Sequence, residues 1–427
     1  MSGAGPFDGA PSHRVGEVVL TVLDADGRPL ADSVVTVEQC RHAFAFGNIG
    51  FDLVRLVGGP DPDGADGVEA FGGTRGLALD QVAGPYLNLF NTATLPFYWG
   101  RYEPRRGRPD TERLARTARW LAERGVTVKG HPLVWHTVEP PWLLDLPLDG
   151  VERVLRARIA ALAGGFAGLV DVWDAVNEAV IMPVFTNGKS AISRLAWTRG
   201  RIAMVRTAFA EARAANPAAT LVLNDFDLTS AYECLIEGVL EAGVTVDAIG
   251  LQTHMHKGFR GEEYLQRTLD RFARFGLPLH LTESTLVSGH LMPREIEDLN
   301  DYRIGHWPST PEGEARQADE IVRHYRCLVG HPAVQAITYW GLSDDGSWLG
   351  APTGLLRADG TRKPAYAALE GLIKGEWWLP PTELRTDPGG RVAVRGFCGD
   401  YTVTAGGRTV SFALGRENAD RAVRLPG

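Results

Sequence analysis

Excess basic charge, clustered cysteines and long apolar runs are what this chain lacks. Across 427 residues, 44 Lys and Arg face 52 Asp and Glu, a net charge of −8. No basic cluster with interleaved aromatics offers a footprint for phosphate backbones, so no nucleic-acid partner is expected. No apolar run approaches the roughly 18 to 20 residues that cross a bilayer, so no membrane partner is expected either. The four cysteines, Cys40, Cys234, Cys327 and Cys398, lie far apart without CxxC or zinc-type spacing, which suits reduced structural thiols. The opening MSGAGPFDGAPSHRVGE has neither a basic start nor an apolar h-region. It reads as a flexible tail over residues 1–16, and the expected location is cytoplasmic unless a leader has been trimmed.

What the chain does have is apolar content of 44%, enough for one large core and a small accessory domain. Eight strand-like segments begin at His42, Tyr86, Val126, Leu169, Thr220, Val246, Pro278 and Val334. Helix-length stretches separate them, such as TERLARTARWLAERG after Asp110 and EGEARQADEIVRHYRCLVG after Pro311. Strand and helix alternating in this way, with nearly continuous apolar strands, predict an α/β fold, a (β/α)8 TIM barrel over residues 41–374.

The flanks follow a two-residue period instead. Residues 17–40 alternate around an ADG turn and predict an N-terminal β-hairpin. Residues 375–427, with RVAVRGF, DYTVTA and RTVSFAL, predict a small C-terminal β-domain. The hairpin is expected to pack with that domain, because two strands alone are marginal in water. A structural cover for the barrel's end is preferred to a sugar-binding module, which needs exposed aromatics where Phe397 and Tyr401 serve equally well as core.

Barrel enzymes draw their functional groups from the carboxyl ends of the strands, and polar and aromatic residues gather there. Glu178 closes one strand and Glu283 another. One protonated and one ionised carboxyl group together can cleave a glycosidic bond, the first protonating the leaving oxygen and the second attacking the sugar. A single acid after a strand is more often a cap or ion-pair partner, so the neighbours carry the argument: His131, Trp135 and His136 in GHPLVWH, Asn177 beside Glu178, Gln252 and His254 in LQTH, and Trp340 and Trp348 near the last strand. Asn224 and Asp225 read as structural polar groups.

GHPLVWH, WDAVNEA, IGLQTHMH, LTES and YWGLSDDGSWLG with LLRADGTRKPAYAAL together resemble glycoside hydrolase family 10, best known for endo-xylanases. The resemblance implies a retaining mechanism with Glu178 as acid/base and Glu283 as nucleophile, and no cofactor. It also implies that Asn177 holds the sugar 2-hydroxyl, that His131 bonds the sugar in the cleaved position, and that Trp135, Trp340 and Trp348 form apolar walls. Gln252 and His254 are the nearest candidates to hold Glu283 ionised.

The departures from the family pattern are specific. Where its second strand carries a Glu-Asn pair and a Lys, aligning on Trp99 and Glu103-Pro104 places Thr94, Leu95 and Tyr98. A usual glutamine is Val138, and the Asp two residues after the nucleophile is Thr285. The expected substrate is therefore a small non-xylan glycoside, whose glycone meets Leu95, Tyr98 and Val138. An ordinary xylanase, and a carbohydrate-binding barrel with impaired turnover, remain alternatives. A metal hydrolase using His131, His136, His254, His256 and Glu283 is a further rival, disfavoured because a barrel HxH site is expected on the first strand. The segment LVSGHLMPREIEDLNDYRIGHWPST is long for a strand-to-helix connection and reads either as an aglycone lid or as a solvated loop.

Overall fold

The computed structural model describes residues 7, 9–60, 73–185, 190–416 and 420–427. Near the N-terminus, β1 (Val15–Leu23) and β2 (Val34–His42) alternate buried and open side chains, as a sheet with one wet face requires. The next eight strands are buried on nearly every side chain: β3 (Ala45–Ile49), β4 (Thr92–Pro96), β5 (Thr127–His131), β6 (Val172–Asn177), β7 (Thr220–Asp225), β8 (Ala248–Met255), β9 (Leu279–Leu286) and β10 (Val334–Tyr339). They close in the order β10-β3-β4-β5-β6-β7-β8-β9, every pair parallel. The molecule is thus a (β/α)8 barrel with additional β-sheet from both ends of the chain.

Several strands start later than expected, β6 at Val172 and β8 at Ala248 among them, and in two cases the early residues belong to another element. The segment from Tyr86 does not start as a strand: Leu79–Leu89 is helical, burying Val82, Tyr86 and Leu89 on one face, and β4 begins only at Thr92. The apolar residues in YLNLF serve a helical period, which a short run cannot distinguish from an alternating one. His42, expected to open the first barrel strand, instead ends β2, and β3 starts at Ala45.

The expected N-terminal hairpin is also corrected. Four strands follow the barrel and one more ends the chain region described: β11 (Thr382–Arg385), β12 (Arg391–Phe397), β13 (Gly399–Ala405), β14 (Arg408–Leu414) and β15 (Arg421–Arg424). β1 lies between β12 and β15, whereas β2 lies between β11 and β13 in a separate sheet. The two arms meet only near the turn, where Leu23 bridges Pro29 and the Leu30 N–H donates to the Val22 carbonyl at 2.9 Å. A lone hairpin covers neither of its faces. Splitting the arms gives each one two strand partners and lets Val18, Leu20, Val22, Val35, Val37, Val394, Tyr401, Val403 and Phe412 form a common core. Phe397 and Tyr401 belong to the interior, at 2% and 0% exposure.

The expected tail over 1–16 is shorter than read, although residues 1–6 and 8 lie outside the described residues. Ser12–Arg14 forms a 3-10 turn, and the Arg14 guanidinium donates to the carbonyls of Val329 and His331, both at 3.0 Å, while lying over the Phe44 ring. One glycine in the barrel is fixed by packing: a Cβ on Gly130 would lie 2.1 Å from the Trp173 ring. The indole therefore fills the space beside β5 and sets the backbone just before His131.

Candidate active site

At the carboxyl end of the barrel, β6 and β9 deliver the two candidate acids. Glu178 follows β6 with a left-handed φ of 59°, a conformation that non-glycine residues adopt rarely and that recurs at functional sites. Its Oε2 accepts from Trp135 Nε1 at 2.8 Å, and its Oε1 from Asn177 Nδ2 at 3.2 Å and Gln252 Nε2 at 3.4 Å. An irregularity in the pairing of β8 with β9 brings Gln252 opposite Glu283. Glu283 Oε2 bonds His254 Nε2 at 3.1 Å and its Oε1 accepts from Asn224 Nδ2, also at 3.1 Å.

The two carboxyl groups belong to one amide network. Asn177 Oδ1 accepts from Asn224 Nδ2 at 2.7 Å and from Gln252 Nε2 at 3.1 Å, so a single amide oxygen joins the donors that serve each acid. Their electrostatic settings differ. Burial pushes the Glu178 carboxyl up to about 8; the Trp135 N–H opposes this, while the Glu283 charge reinforces it. Ionisation of both acids is disfavoured in such a place, because each charge is felt by the other through little solvent.

His131 is held from behind. Its Nδ1 bonds Asp174 Oδ2 at 2.7 Å, and Lys129 Nζ bonds the same oxygen at 2.8 Å. Burial alone would raise the Asp174 carboxyl, but Lys129 and His131 outweigh it and hold it below the usual range. The opposite ring nitrogen of His131 lies 4.0 Å from Glu283 Oε1.

Aromatic rings wall the space around these groups. Tyr98 stands edge-on to His131 at 5.5 Å and 5.4 Å from Trp135, and Trp340 lies 5.3 Å from His131. Phe51 contacts both Tyr98 and Trp340, and Val138 packs against the same cluster. Burial, followed by the charges of Glu283, Glu178 and Asp174, raises the Tyr98 phenol far above its ordinary value. Trp348 covers His254, ring centres 4.8 Å apart. Leu95 and Thr94, at the other divergent positions, are fully buried.

All ten residues singled out in the sequence thus come to one end of the barrel: Glu178, Glu283, Asn177, His131, Trp135, Gln252, His254, Trp340, Trp348 and Tyr98. Sequence reasoning missed others. Asn224, read as structural, bridges Asn177 and Glu283, and Thr282 Oγ1 fixes its amide by donating to Oδ1 at 2.5 Å. Its position at the end of β7 was the available signal. Asp174 and Lys129 were missed because they sit inside strands. His136, already named in the sequence beside Trp135, reaches within 4.0 Å of Glu178 Oε2, and burial lowers its imidazole to about 4. As for the metal rival, no three His, Cys, Asp or Glu side chains among the described residues are grouped to hold an ion.

The long segment after β9 packs mainly on itself. Trp307 is buried with Val287, Met292 and Ala351, stacks on His290 at 5.3 Å and lies 6.2 Å from His256. Tyr302 bonds His290 Nε2 through its hydroxyl at 2.9 Å.

The chain resembles known proteins in sequence and in fold. The chain is 27% identical over 296 residues to endo-1,4-beta-xylanase B of Thermotoga neapolitana, covering 65% of this chain and 78% of that protein. It is 28% identical over 242 residues to a beta-1,4-xylanase of Dictyoglomus thermophilum, covering 53% and 63% respectively, so it spans less than two thirds of that relative. The fold matches the crystal structure of xylanase 10B from Thermotoga petrophila in complex with xylobiose, with a TM-score of 0.61, 22% identity, and coverage of 78% of this chain and 94% of that one. A family model described as "Glycosyl hydrolase family 10" matches residues 91–371, more than half of the sequence, and the chain belongs to that family of glycoside hydrolases.

Proposed function

We propose that the chain cleaves β-glycosides by double displacement, with Glu178 as acid/base and Glu283 as nucleophile. Glu178 gives its proton to the glycosidic oxygen as the bond to the anomeric carbon breaks, and Glu283 forms an ester at that carbon. Glu178, now ionised, takes a proton from water, which opens the ester and returns both carboxyl groups to their starting states. The observation that carries this reading is the contrast within one network: a carboxyl raised to about 8 by burial beside one that accepts from an amide and an imidazole. Asn177 is assigned to the sugar 2-hydroxyl, where a contact that strengthens in the transition state lowers the barrier.

The proposed substrate is a small glycoside other than xylan. Support comes from Tyr98 and Val138, which stand where the family pattern has a lysine and a glutamine and which pack with Phe51 and Trp340 in one apolar cluster. The names of the relatives favour the alternative of xylan. A panel of chromogenic β-glycosides differing only in glycone separates the two, and turnover of aryl xyloside and xylan at rates typical of the family would refute the non-xylan assignment. Trapping with a slow 2-fluoro glycoside of the active sugar is expected to add one glycosyl mass to the peptide bearing Glu283. An adduct elsewhere, or full activity in Glu283→Ala, would overturn the mechanism.

A further inference from the structure

Thr285 sits where two imidazoles converge. Its Oγ1 is 3.4 Å from Nδ1 of His254 and 3.4 Å from Nδ1 of His256, and it accepts the backbone N–H of Met255 at 3.1 Å. A hydroxyl has one proton to give, so it can donate to only one of the two rings and must accept from the other. His254 Nε2 faces Glu283 Oε2 at 3.1 Å, and a carboxylate only accepts. His254 therefore carries its proton on Nε2, leaving Nδ1 as the acceptor for the Thr285 hydroxyl. The remaining ring must then donate, so His256 is protonated on Nδ1. Its Nε2 is left as a bare lone pair, consistent with that atom's burial without a partner.

We infer a directed relay, His256 Nδ1–H to Thr285 Oγ1, Thr285 O–H to His254 Nδ1, and His254 Nε2–H to Glu283. It makes Thr285 and His256 positioning residues for the candidate nucleophile. The inference rests on the assignment of Glu283 above and adds which tautomer faces it and what enforces that choice. Aromatic rings surround both imidazoles: Trp340 and Trp348 pack on His254, and Trp307 and Trp348 on His256. Among the described residues Glu283 is the one carboxylate bonded to His254, and His131 faces its other oxygen. Burial lowers the His256 imidazole to about 3, which keeps that ring to a single proton.

The arrangement can be read without turnover. In a nitrogen-15 histidine spectrum of the intact protein at neutral pH, His254 is expected to show a protonated Nε2 and a bare Nδ1, and His256 the reverse. A doubly protonated His254, or a proton on His256 Nε2, would overturn the relay. In Thr285→Val the link is cut: His254 is expected to lose its fixed tautomer, and kcat/KM on the active glycoside to fall roughly tenfold with little change in KM. Thr285→Ser should restore both. Equal loss in the serine and valine variants would sink the proposal. If the tautomers are as stated but no adduct forms on Glu283, the relay stands and the nucleophile assignment fails.

Discussion

Glu178 occupies a position where its charge is costly. Burial raises its carboxyl from 4.5 to about 8, so an enzyme using it as the acid keeps that proton through neutral pH and loses activity as pH rises through about 8. The Trp135 N–H is the donor that most favours the ionised form, with the Gln252 amide a smaller second. In Trp135→Phe the larger part of that support is gone, and the alkaline limb of kcat/KM is expected to move to higher pH. The same shift has a stability consequence. The unfolded chain ionises this group above 4.5 while the folded one holds its proton to about 8, so folding loses stability as pH rises between those values. Glu178→Gln escapes this loss. Its melting temperature should exceed that of the parent by more at pH 8 than at pH 5, as thermal denaturation at both values will show. The two acids, Asn177 and the tryptophans were legible because each lies in the carboxyl half of a strand or in the segment just after one, where barrel chemistry gathers, although Glu283, read as closing its strand, is followed by three more residues of β9. Asn224 obeyed the same rule but was set aside, since an Asn-Asp pair after a strand also suits a turn. Asp174 was invisible because only strand register reveals that it stands behind His131.

At the level of elements, hydrophobic pattern located the barrel strands but could not phase every one. Tyr86 to Leu89 reads equally as strand or as the last turn of a helix, and its neighbour Val82 decides by sharing their buried face. The hairpin prediction failed for a different reason: alternation shows that a segment is a strand and says nothing about which strand it joins. β5 shows how an element can be held by something outside itself. Trp173, on the adjacent strand, takes the room that a side chain at Gly130 would need. Gly130→Ala is expected to destabilise the fold by about 1–3 kcal/mol through overpacking, measured by chemical denaturation. It should also disturb the bond from His131 to Asp174.

For the molecule as a whole, the accessory sandwich cannot be assigned to either end of the chain. Its sheets alternate early and late strands, β1 between β12 and β15, and β2 between β11 and β13. Removing residues 375–427 would strip both early strands of every sheet partner and expose Val18, Leu20, Val22, Val35 and Val37, now at most 6% exposed. The truncated chain is expected to aggregate rather than yield a soluble barrel, by size-exclusion chromatography and scattering, because unpaired apolar edges recruit other chains. A soluble, monomeric truncation would show the barrel to be self-sufficient.

The weave also sets an order on synthesis. Leu20 pairs with Arg421, so the first long strand leaves the ribosome well before its last neighbour exists. At about 5–20 residues per second, those 400 intervening residues take roughly 20–80 s. Throughout that interval a nascent β1 has an open edge and an uncovered apolar face, and whatever shields it until β15 emerges governs the yield of folded protein.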